Sequence, residues 1–103
     1  MQLHTPLQLT LLHELMCGTD IVPHVLQNES HPFNQQWPQV EFCARNDIQF
    51  MAYSPLGYGA FKKPGEVTVL SDPTLKRVGE KHGKSVAQVS ACGHLAPRAT
   101  SFE

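Results

Sequence analysis

Apolar and polar positions alternate along this chain between two periods, one near 3.6 residues and one near 2, and the switches fall at proline and glycine. Thr5-Pro6-Leu7-Gln8 offers a hydroxyl cap, proline at the first helical position and Gln three residues after the cap, which together predict a helix start. Leu7, Leu11, Leu12 and Leu15 recur at helical spacing and Gly18 ends the run, so this helix is expected to bury that stripe. Val22 to Glu29 then reads as a strand with Val25, Gln27 and Glu29 on one side, closed by Pro32.

Pro38 suits the first turn of a helix and no later position. The next helix is therefore expected from about Trp37 to Arg45, burying Trp37, Val40 and Cys43 or Ala44, with Asn46-Asp47 as the turn. Ile48 to Tyr53 is apolar on both faces, as a strand covered on both sides should be. Gly57 to Val69 has no periodicity and reads as a long loop after that strand. Asp72-Pro73 caps a helix carrying Leu75, Val78 and His82 and stopped by Gly83; Ser85-Val86-Ala87-Gln88 begins another. Helix, strand, helix, strand in this order predicts βα units and a parallel sheet, an α/β fold.

Composition narrows the function classes. The 103 residues carry a formal net charge of −1, with pI near 6.6, so no clustered basic surface attracts nucleic acid or anionic lipid. No apolar run approaches the ~18 residues of a spanning helix, and the expected compartment is the cytoplasm. Cys17, Cys43 and Cys92 form no CxxC pair, which predicts reduced, packed thiols, with neither a disulfide framework nor a metal site. His13-Glu14-Leu15-Met16-Cys17 has Cys17 where a zincin motif needs its second histidine, so it reads as a helix surface.

Two segments carry a resemblance. Gln27-Asn28-Glu29-Ser30-His31-Pro32 and Tyr53-Ser54-Pro55-Leu56-Gly57 resemble the C-terminal ends of the sixth and seventh strands of the aldo-keto reductases. That family builds an eight-stranded (β/α) barrel and reduces carbonyls with NADPH. A barrel of this kind needs roughly 250 residues, so the resemblance implies a partial (β/α)8 barrel with about two parallel strands and four helices. It covers about residues 5–89; residues 90–103 are expected to be a divergent tail. There the family continues with long aliphatic residues, whereas this chain has Ser90-Ala91-Cys92-Gly93 and then Pro97, which break a helix within two turns. An altered reading frame or alternative transcript end would produce such a loss of pattern.

What the resemblance implies for the site can be given residue by residue. Tyr53 matches the tyrosine that backs the nicotinamide ring, a flat surface that keeps the hydride donor in attack geometry. Gln27 matches the glutamine whose amide holds the carboxamide. Ser54 and the backbone at Leu56 match positions meeting the pyrophosphate. Lys62 and Lys63 lie in a loop able to approach phosphates; Lys76, Arg77, Lys81 and Lys84 read as a solvated helix face. Glu29 and His31 resemble an acid/base pair, but in the family this segment shapes the strand end and the loop beyond it, so both read as structural. The family's tyrosine proton donor with its lysine, aspartate and histidine has no counterpart here, and Tyr58 lacks that setting. No catalytic residue is therefore assigned. The implied cofactor is NADP(H), weakly held, and the implied substrate of the intact family a small carbonyl compound. Two alternatives stand beside this reading: a non-catalytic barrel remnant that self-associates or binds another chain through open sheet edges, and a gene-model artefact.

Overall fold

The computed structural model describes residues 5–57 and 63–93, with side chains from Gln8 onward. Its elements run α1 (Thr5–Gly18), β1 (Val25–Glu29), α2 (Trp37–Arg45), β2 (Gln49–Tyr53), a single 3-10 turn (Val69–Ser71), α3 (Pro73–His82) and α4 (Val86–Gly93). The strands pair as a two-stranded sheet. They run parallel: Gln49 N–H donates to the His24 carbonyl (2.8 Å) at one end and Ser30 N–H to the Tyr53 carbonyl (3.2 Å) at the other. The chain divides into two compact units, one containing residues up to Asn28 with Gln36–Met51, the other Glu29–Gln35 with the chain from Ala52 onward.

In the first unit α1 packs on α2. The α1 surface that turns inward carries Gln8, Leu9, Leu12 and Met16, while Leu11 and Leu15 are about half exposed. Of the expected leucine stripe Leu12 turns inward and Leu11 and Leu15 do not, while the Leu7 side chain lies outside the described residues; α1 is apolar nearly all round, and on such a helix spacing alone does not single out one face. α2 holds the expected span but buries Gln39 and Cys43; Trp37 is 45% exposed. Gln39 occupies that place because its Nε2 donates to Gln8 Oε1 (2.8 Å), which also accepts from Asn28 Nδ2 (3.2 Å). Gln39 Oε1 has no partner among the described residues.

The end of α2 follows from its turn residues. Asp47 takes a left-handed conformation (φ 56°) and Ile48 N–H returns to the Cys43 carbonyl (2.9 Å), the six-to-one closure of a Schellman turn. Aspartate tolerates that backbone better than any branched residue. Ile48 is left 5% exposed beside Cys43 at 1%. β1 starts three residues later than expected, after Pro23, which has no N–H to give to a ladder.

The second unit is organised by caps. Thr68 and Ser71 exchange side-chain and backbone bonds around the 3-10 turn, a cap hidden at the end of what reads as loop. Asp72 Oδ1 accepts from Leu75 N–H (2.9 Å) and Gly83 (φ 63°) closes α3. Ser85 Oγ accepts from Gln88 N–H (3.2 Å) while Gln88 Oε1 accepts from Ser85 N–H (2.9 Å), the reciprocal capping box expected for α4. α3 packs against α4 and the 3-10 turn. Gly79 is the buried residue of α3 and lies against the Lys84–Ser85 junction that leads into α4, while Val78 and His82 stay exposed. A Cβ at Gly79 would lie 2.5 Å from the Lys84 carbonyl oxygen, so the missing side chain is what permits the close approach.

A candidate nicotinamide platform at the end of β2

Strand alternation leaves Met51 and Tyr53 on the open side of β2 and sets Phe50 and Ala52 on the other. Tyr53 therefore ends the strand 42% exposed. The chain then turns sharply. Gly57 N–H donates to the Ser54 carbonyl (2.9 Å), closing Ser54-Pro55-Leu56-Gly57 into a β-turn with proline at its second position. Leu56 does not take a positive φ, which makes the turn type I and excludes type II.

Ser54 enters the turn at φ 50°. A non-glycine residue there costs on the order of 1 kcal/mol and persists only where its surroundings hold it. Three contacts do so. The Tyr53 carbonyl accepts from Ser30 N–H. Gly57, at φ 70°, packs so that a Cβ on it would stand 3.2 Å from Val69 Cγ2, and Val69 is 2% exposed. Ser90 Oγ–H, from α4, donates to the Pro55 carbonyl at 2.5 Å, and Ser90 is itself 2% exposed. The Ser54 hydroxyl has no partner among the described residues.

Gln27 belongs to the first unit, on the exposed side of β1 together with Val25. Its amide makes no hydrogen bond among the described residues. Lys63 is exposed; Tyr58 and Lys62 lie outside the described residues, as does the chain beyond Gly93.

Glu29 and His31 meet. Phe33 N–H donates to His31 Nδ1 (3.2 Å), so that nitrogen holds its lone pair and the proton sits on Nε2, which donates to Glu29 Oε1 at 2.7 Å. His31 also exchanges backbone bonds with Asn34 (3.1 and 2.8 Å), and the arrangement pins the loop after β1. Among the described residues no three metal-ligating side chains come together. His13 stands edge-on to Phe42 with ring centroids 5.0 Å apart. Cys43 is packed as expected, and burial raises its thiol pKa; Cys17 and Cys92 are exposed, against expectation.

Sequence reasoning missed Gln39, Gly79 and Ser90. A glutamine in a first helical turn and a glycine inside a helix are weak signals. Ser90 gave none, since it stands at the start of the stretch where helical patterning fails.

Residues 8–92 match the aldo/keto reductase family. The chain is 39% identical over 84 residues to an NADP-dependent D-sorbitol-6-phosphate dehydrogenase from Malus domestica, covering 80% of this chain and 27% of that protein. It is 40% identical to an NADH-dependent D-xylose reductase from Candida parapsilosis, over 77% of this chain and 26% of the relative. A third relative, the NAD(P)H-dependent 6'-deoxychalcone synthase of Glycine max, is 43% identical over 77% and 24%. The chain thus spans about a quarter of the length of these curated relatives. With the family match running from α1 into α4, the chain belongs to the aldo/keto reductase family.

Proposed function

We propose that this chain is the nicotinamide-holding segment of an NADP(H)-dependent oxidoreductase that interconverts carbonyls and alcohols. The observation that carries the reading is Tyr53: an aromatic ring left open at the C-terminal end of a parallel strand and followed by a turn whose backbone is held by buried contacts. Binding sites of α/β sheets and barrels collect at such strand ends. Bound NADP(H) supplies the hydride. The residues fit it as far as their chemistry goes: Tyr53 offers a flat apolar face, and Gln27 an amide and Ser54 a hydroxyl that have no partner among the described residues, with the Leu56 backbone next to Ser54 in the turn. The cofactors and substrates in the relatives' names differ from one to the next, so the substrate is assigned only as a small carbonyl compound. We place the protein in the cytoplasm; no described helix is long and apolar enough to cross a membrane.

The test is binding and turnover by the 103-residue chain. NADPH is expected to bind with Kd of about millimolar, because few of the contacts that offset association entropy are present in it, and Tyr53→Ala and Gln27→Ala should each weaken it. Aldehyde reduction should not rise above a boiled control, since no general acid of the family's kind lies in these residues. Binding unaffected by both substitutions would reject the platform.

A second reading is favoured by exposed apolar surface. Leu11, Leu15, Ile21, Val22, Val25 and Met51 of the first unit are all 45% exposed or more, and the two strands leave edges without a neighbour among the described residues. On that reading the chain self-associates, and light scattering should show mass rising with concentration in the micromolar range. Mass constant at that of a monomer would dismiss it.

A further inference from the structure

We infer that Ser90 is a positioning residue for the turn that carries Ser54 and Leu56, and that α4 is built into the proposed cofactor site through this hydroxyl. The inference rests on the proposed cofactor reading for its function and on the geometry of the second unit for its mechanism. A type I turn closes through the carbonyl of its first residue, here Ser54. The carbonyl of the second, Pro55, is left to find a donor elsewhere. The Ser90 hydroxyl supplies that donor at 2.5 Å from a position 35 residues away in the chain.

Serine inside a helix ordinarily points to solvent or bonds back to the carbonyl four residues earlier. Ser90 does neither; it is 2% exposed and spends its proton on the turn. The strength of the case lies in what depends on that bond. Ser54 is held at φ 50° immediately before Pro55. Its hydroxyl direction is set by the backbone of the turn, and so is the direction of the Leu56 N–H. Val69 limits Gly57 on one side; Ser90 fixes Pro55 on the other.

The experiment compares the full chain with Ser90→Ala and Ser90→Thr by residue-resolved amide exchange, followed by NADPH titration read through cofactor fluorescence. In Ser90→Ala the Gly57 amide should exchange roughly ten- to a hundred-fold faster, the range expected when a partly buried carbonyl loses its donor. The α3 amides from Lys76 to His82 should be unchanged. Ser90→Thr keeps a hydroxyl and should keep Gly57 protected. If the chain binds NADPH, Ser90→Ala should weaken it by a similar factor and Ser90→Thr restore it. Gly57 exchange that is unchanged in Ser90→Ala overturns the inference, and so does loss of α3 protection in step with Gly57, which would make Ser90 a general packing residue. Loss of Gly57 protection in a chain that shows no NADPH binding at all would uphold Ser90 as the anchor of the turn and reject the cofactor reading instead.

Discussion

Substituting Gly79 by alanine sets two opposed magnitudes against each other in α3. Alanine is the better helix former by about 1 kcal/mol at an interior position, so a helix in isolation gains from the change. In this protein the new Cβ would sit 2.5 Å from the Lys84 carbonyl oxygen, against the 3.4 Å at which ordinary contact begins. The neighbour is backbone and cannot rotate away. It is also committed: Lys84 N–H donates to the Gly79 carbonyl at 2.9 Å, and the next residue begins the capping box of α4. Opening nearly an ångström of space there moves the α3–α4 junction as a whole. Overpacking of this kind costs about 1–3 kcal/mol, and weakening the Lys84 bond adds about 1. The net expectation is a loss of roughly 1–3 kcal/mol, or about a five- to 150-fold rise in the open fraction. Native-state amide exchange over Lys76–His82 and Val89–Gly93 measures local opening directly and needs no cooperative global transition. Arg77→Ala, exposed on the same helix, should stay within about 0.5 kcal/mol of the parent. Exchange in Gly79→Ala that is unchanged or slower would show that the junction yields freely, and would refute the claim that this glycine is required by close approach.

Three other outcomes are expected. Gln39→Met removes a buried oxygen that has no partner among the described residues, worth about 1–3 kcal/mol, at the loss of one bond to Gln8 worth about 1; α1 and α2 amides should exchange at the same rate or more slowly, whereas Gln39→Ala, which leaves a void, should speed them. Cys17 and Cys92, both exposed, should be alkylated readily at neutral pH while Cys43 resists. Because burial raises the Cys43 pKa, the folded state holds its proton where the unfolded chain releases it; the associated stability is whole below the ordinary thiol range and falls as pH climbs through it, so a pH series of Cys17→Ser/Cys92→Ser should show protection of α2 lost on the alkaline side and none lost from this group on acidification. Ser54→Gly relieves the left-handed strain at the turn, so Gly57 exchange should be no faster than in the parent while NADPH binding weakens; tighter binding would remove Ser54 from the site.

Much of the local chemistry was legible in the chain, the Thr68–Ser71 cap excepted. Each helix start carrying a proline or a hydroxyl cap fell where its residues placed it, and the Asp72 and Ser85 caps were read with the bonds they make, because those bonds join residues three apart. The aldo/keto reductase resemblance was legible for the same reason: its motifs are contiguous runs around Gln27 and Tyr53. What the sequence left undecided were choices between faces and between distant partners. Leucines surround α1, and only packing against α2 selects Gln8, Leu12 and Met16 as the inner side. Gln39 goes inside in place of Trp37 because an amide on α1 waits for it, 31 residues away. The Ser90 hydroxyl acquires a meaning when the Pro55 carbonyl is brought to it across 35 residues. Burial and long-range hydrogen bonding belong to pairs of positions, and a pattern read along one strand of sequence records only one member of each pair at a time.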